Sequence, residues 1–177
     1  VSVMQSADDN YSTTVQYPTG GLGPALKLVA QVIAANVGVK ICHVSIGGFD
    51  THANQETDQS TQLAALDAGL KAFSQDLKAH NLDQKVLIMT WSEFGRRVTA
   101  NASDGTDHGS AAPLFFLGTP VRGGLYGQRP DLGNLDNGNL RFTVDFRSVY
   151  ATVLERWLGV PSNDLLGGQY EVLPVLR

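Results

Sequence analysis

Three short segments of this chain carry side chains able to hold a cation. Gly47-Gly48-Phe49-Asp50-Thr51-His52 sets a carboxylate and an imidazole two residues apart. Trp91-Ser92-Glu93-Phe94-Gly95-Arg96 adds a glutamate, and Gly105-Thr106-Asp107-His108-Gly109 a second carboxylate–imidazole pair. Carboxylate oxygen with imidazole nitrogen is the usual donor set for zinc or manganese. Asp50, His52, Glu93, Asp107 and His108 are therefore the candidate metal ligands on residue type. Each also has a plainer use: Asp50 can cap the segment after it, Glu93 can pair with a base, and Asp107-His108 can form a surface turn. The other histidines fit less well. His43 lies inside an apolar run, and His80 stands at what reads as an exposed helix end.

Nucleophilic chemistry is less well served. No Gly-x-Ser-x-Gly elbow occurs, since Ser92 sits in Trp-Ser-Glu-Phe. Ser45 falls within an apolar run, and adjacent Asp107 and His108 are poorly placed to orient each other beside Ser92. Gly20-Gly21-Leu22-Gly23 follows no strand, so it reads as a turn rather than a dinucleotide loop. Asn101-Ala102-Ser103 is a glycosylation sequon by pattern alone. Arg96 can bind an anion, although a solvated arginine is the default.

The elements that must position these residues follow from hydrophobic spacing. Residues 1–20 show no periodicity and read as an irregular lead-in. Leu22, Leu26, Val29 and Ile33 step at helical spacing, with Pro24 in the first turn and Gly38 as the stop. Val39–Ile46 reads as a strand buried on both faces. Leu63, Leu66, Leu70, Phe73 and Leu77 form the stripe of a second helix, stopped near Asn81. Residues 85–90 and 114–117 read as two further short strands, with a loop from Ser92 to Ala112 between them. A last helix starts after Thr143, with Asp145 near its positive end and Gly159 and Pro161 closing it. This order predicts an α/β fold with a mainly parallel sheet, Val39–Ile46 and Val86–Met89 being central neighbours. Ligands of such sheets gather beyond the carboxyl ends of the strands, where the three segments fall.

Composition narrows the classes. The 177 residues include 13 basic and 17 acidic side chains, a net charge of −4, with no basic cluster to bind nucleic acid. Hydrophobic residues make up 42%, enough for a core, so disorder is excluded. The 19 glycines exceed the ~12 that average usage would give and point to many tight loops. No apolar stretch reaches the ~18 residues of a membrane span. Cys42 is a single cysteine and forms no internal disulfide. The opening on Val1, with the polar run from Gln5 to Asn10, reads as a processed or cut chain.

The same segments resemble the signature blocks of domain-of-unknown-function family fifteen-oh-one. They are Phe49-Asp50-Thr51-His52-Ala53-Asn54-Gln55, Ser92-Glu93-Phe94-Gly95-Arg96, Gly105-Thr106-Asp107-His108-Gly109, Val121-Arg122-Gly123-Gly124 and Asp145-Phe146-Arg147-Ser148-Val149-Tyr150. The resemblance spans about residues 22 to 160. It implies a bacterial, sulfatase-like member of the alkaline phosphatase superfamily, and with it a three-layer α/β/α sandwich over residues 1–177. It also implies that this chain is the C-terminal part of the family domain, without the strand that carries the nucleophile. By position it assigns Asp50, His52, Glu93 and His108 to a centre of one or two divalent cations, zinc or manganese. Phe94 stands where better-known relatives have histidine. Periplasmic or cell-surface location follows from the resemblance too.

Two functions result. One is a metal-dependent hydrolase of phosphate or sulfate esters, with a small-molecule or glycan ester as substrate, or the metal-binding half of such an enzyme. The other is a non-catalytic exported binding or surface module with a vestigial metal site.

Overall fold

The computed structural model describes residues 11–177. The polar run Gln5–Asn10 and the first half of the expected lead-in lie outside the described residues. The chain divides into two compact units, residues 1–85 with 103–105, and residues 86–102 with 106–177.

The first unit is built on two helices, α1 (Gly23–Ala34) and α2 (Gln55–Ala79). Pro24 occupies the first turn of α1, where its missing N–H costs nothing. Gly23 is obligatory there, because a Cβ would stand 2.0 Å from the carbonyl oxygen of Pro18. The apolar faces meet through Leu22, Leu26 and Ala30 on one side and Ala72, Phe73 and Leu77 on the other, all buried. At Gly69 an added Cβ would press on Leu22 and Leu26 at 3.3 and 3.4 Å, so the glycine sets how closely the helices approach. Helix α1 ends earlier than Gly38, at Ala34, with Asn36 taking the left-handed turn (φ 51°). Helix α2 places Glu56 and Asp58 in its first turn and Lys78 in its last, each suited to the dipole.

The lead-in has a periodicity after all, and its period is two. Residues 11–17 alternate half-buried and exposed, with Tyr11, Thr13, Val15 and Tyr17 inward. Three of those four carry hydroxyls, and all three donate to one carboxylate, Asp76 of α2, which has 0% of its surface exposed. The Thr13 and Tyr17 bonds measure 2.5 and 2.7 Å. His80, expected at an exposed helix end, is half-buried instead. Its Nδ1 lies 3.2 Å from the Asp76 carboxylate, and its ring stacks on Tyr11 at 4.8 Å. Burial alone raises the Asp76 carboxyl pKa. The three hydroxyl donors and the charge of His80 outweigh it and hold the group below its ordinary value. Tyr11 and Tyr17 titrate well above the ordinary phenol, first through burial and then through bonding to that anion.

The parallel-sheet expectation is overturned. Residues 39–46 form no strand, and Val39 and Ile41 are 52% and 72% exposed. The described strands lie in the second unit: β1 (Ile88–Met89), β2 (Gly95–Ala100), β3 (Thr106–Gly109) and β4 (Phe116–Leu117). They make two antiparallel pairs, β1 with β4 and β2 with β3, so the protein is not a three-layer α/β/α sandwich. For β2 and β3 the physical reason is connection length. A parallel pair needs a crossover of a dozen or more residues, whereas Asn101–Gly105, with Asp104 left-handed at φ 57°, reverses the chain within five. The expected loop Ser92–Ala112 is thus largely a hairpin. An apolar run such as Val39–Ile46 becomes a buried strand only where neighbours supply its ladder.

The second unit is closed by α3 (Phe146–Thr152), which continues as a π-turn to Leu158, and by the short α4 (Asn163–Leu166). Asp145, expected within the first turn, stands one residue before α3 as its cap, accepting the Arg147 amide at 2.9 Å and its guanidinium at 2.6 Å. The Arg147 side chain is the main reason that the Asp145 carboxyl titrates below its ordinary value. Ser148, Val149, Ala151 and Thr152 are buried, with Val175 from the C-terminal segment. The Thr152 hydroxyl donates to Ser148 at 2.7 Å and accepts from Leu173 N–H at 2.8 Å. The Asp145–Tyr150 block is therefore explained by capping and core packing.

Asp76→Ala should cost about 3–5 kcal/mol, the scale for removing one member of a buried charged network. Because the folded carboxyl titrates below its unfolded value of about 3.9, its stabilisation is present above that pH. It is lost as pH falls through the lowered folded value. Urea unfolding of both chains should give a difference that shrinks in acid; an equal difference at neutral and acid pH would contradict the buried-anion account.

Candidate metal centre

The first unit supplies Asp50 and His52. Between them Thr51 is buried, and its N–H donates to the Phe49 carbonyl at 2.9 Å. The buried Thr51 is flanked by two exposed residues, Asp50 and His52. His52 Nε2 lies 3.0 Å from Asp50 Oδ1, with side chains 47% and 64% exposed. An ion pair that open contributes at most about 1 kcal/mol, so stability does not account for it.

The segment after His52 is held by backbone. Ala53 and Asp104 form an antiparallel bridge. The N–H groups of Asn54 and Gln55 donate to the carbonyls of Ser103 and Asp104 at 3.3 and 3.0 Å. Asn54 is left-handed (φ 47°), a conformation asparagine tolerates, and it opens α2. Gly105 lies directly on the backbone of His52, where a Cβ would come within 2.2 Å of the carbonyl carbon. No other residue fits.

The second unit supplies His108 on β3, opposite Arg96 on β2. Glycine again permits the geometry. A Cβ on Gly95 would stand 1.8 Å from the Ala111 oxygen, and one on Gly109 2.6 Å from the Arg96 backbone. The His108 ring stacks on Phe94 with centroids 3.8 Å apart and planes 7° from parallel. The Arg96 guanidinium lies 5.0 Å from the same ring and donates to the Thr106 carbonyl at 2.6 Å. Glu93 is exposed just before β2, and its carboxylate has no hydrogen bond or ion pair among the described residues. The Ser92 hydroxyl donates to the Phe94 carbonyl at 2.8 Å, a turn bond.

The sequence reading thus names the ligand candidates but misses the glycines and Phe94 that hold them. Part of their signal was present, since the ligand-bearing segments 91–96 and 105–109 both carry glycine. Residues 7–168 match the family described as Protein of unknown function (DUF1501). The chain belongs to the DUF1501 family. No curated protein and no solved structure matches it. The DUF1501 match covers all five blocks but gives no support for membership of the alkaline phosphatase superfamily, whose sandwich this fold does not reproduce. Among the described residues, no helix is long and apolar enough to cross a membrane.

Gly105→Ala should lower stability by about 1–3 kcal/mol through overpacking against His52. Gly47 meets nothing within 4 Å, so Gly47→Ala should stay within about 0.5 kcal/mol of the parent. Thermal unfolding of the two variants side by side checks this; equal losses would refute the close-approach argument.

Proposed function

We propose that this protein binds a divalent cation, zinc or manganese, through Asp50, His52 and His108, and uses it to hydrolyse phosphate or sulfate esters. The observation that carries the reading is the Asp50–His52 pair, beside a backbone on which Gly105 rests. His108 follows three residues later, and three residues span at most about 11 Å. Two imidazoles and a carboxylate fit zinc or manganese, and three protein ligands leave a position open, as in catalytic zinc sites. Glu93 is the candidate for a fourth ligand or a second cation.

A cation held there would supply Lewis-acid polarisation of an ester oxygen and neutralise developing charge. Asp50 and His52 hold their donor atoms 3.0 Å apart before any cation arrives, which lowers the ordering cost. Ser92 offers no activated nucleophile, because its hydroxyl is committed to the turn. The solvent exposure of Asp50 and His52 favours a second reading, a non-catalytic exported binding module, whose export rests on family resemblance.

Titration calorimetry with zinc and manganese should show binding that falls at least 10-fold in His52→Ala and in His108→Ala. Outer partners of metal ligands alone are worth 10–100-fold. Binding should weaken in acid, since imidazole must be neutral to ligate. Undiminished binding in either variant contradicts the ligand set. Binding without hydrolysis of aryl phosphate or aryl sulfate esters selects the second reading.

A further inference from the structure

Phe94 is not a ligand type, yet its ring stacks face to face on the imidazole of His108. The two rings lie 3.8 Å apart and almost parallel, an overlap that leaves the imidazole little freedom to rotate. The backbone supports the stack. The Ser92 hydroxyl holds the Phe94 carbonyl, Gly95 lets β2 sit against Ala111, and Arg96 pairs in register with His108. The Arg96 guanidinium, tied to the Thr106 carbonyl, adds a second contact with the same ring. An exposed histidine without such support would sample several rotamers and give up that freedom on binding a cation.

We infer that Phe94 is a positioning residue, a stacking platform that fixes the His108 imidazole for cation binding. The inference rests on the proposed metal reading and deepens it. Outer groups that orient a metal-ligating histidine are ordinarily hydrogen-bond acceptors; the Phe94 stack adds an aromatic face to that task. The aromatic plane is the needed property, rather than bulk. Tyrosine should therefore replace phenylalanine, and methionine of similar size should not.

The test uses the full chain as Phe94→Met, Phe94→Leu and Phe94→Tyr, with two measurements. Without metal, the ring protons of His108, assigned through His108→Ala, should carry an upfield ring-current shift. Phe94→Tyr should keep that shift and the other two should lose it. With zinc added, Phe94→Met and Phe94→Leu should bind on the order of 10–100-fold more weakly, and Phe94→Tyr like the parent. Lost ring shift with unchanged zinc affinity would overturn the inference while leaving the metal reading intact. A parent that shows the ring shift but binds no zinc or manganese would overturn both, and the intact shift would trace the failure to the metal reading. Unfolding of both Phe94→Met and Phe94→Leu would make the residue structural and also overturn the inference.

Discussion

A glycine at position 105 lets the chain lie directly on the backbone of His52, and the candidate metal centre depends on that contact. With 2.2 Å between an imagined Cβ and the His52 carbonyl carbon, no side chain can be accommodated. The hydrogen bonds from Asn54 and Gln55 to Ser103 and Asp104 follow from it, and so does the entry into α2. Thr106 begins β3 immediately afterwards, which carries His108. The order of side chains in Gly-Thr-Asp-His-Gly then has a physical meaning. Its first glycine makes the approach, its last closes the hairpin against Arg96, and the histidine between them is exposed on β3.

A second constraint holds the helices of the first unit. Asp76 is a carboxylate without solvent, and burying one is costly unless donors surround it. Tyr11, Thr13 and Tyr17 provide three donors from one extended segment, and His80 closes the shell from the end of the same helix. The segment is thereby strapped to α2 by its hydroxyls on Asp76 and by the His80 ring at the Ser12 carbonyl, 3.1 Å away. The exposed Asp50–His52 pair shows the opposite economy, donor atoms kept near water at little gain in stability.

Local patterns in the sequence were legible where local physics decides them. The apolar spacing of Leu22 to Ile33 and of Leu63 to Leu77 marks both long helices, and Asp145 marks the start of the last. The strands were legible in part: residues 85–90 and 114–117 contain β1 and β4, but their antiparallel pairing was not, because a ladder depends on partners that composition does not name. Val39–Ile46 has the composition of a buried strand and lacks the ladder. Ser92–Ala112 has the composition of a loop and forms a hairpin, since its glycines serve close backbone approach as well as turning. The strap was missed because Tyr-x-Thr-x-Val-x-Tyr alternates with period two and its hydroxyls do not register as apolar. Of the candidate ligands, Asp50, His52 and His108 are legible as donor types. Phe94 was legible only as a departure from a family pattern, although its ring carries the His108 contact.

The central claim is that one cation is held by two imidazoles and a carboxylate from Asp50, His52 and His108. X-ray absorption at the zinc edge of the metal-loaded chain tests it most directly. The account predicts nitrogen and oxygen neighbours at about 2.0–2.2 Å with the multiple-scattering signature of two imidazoles and no sulfur. A sulfur neighbour at about 2.3 Å, which the exposed Cys42 could supply, or a shell without imidazole scattering, would contradict it.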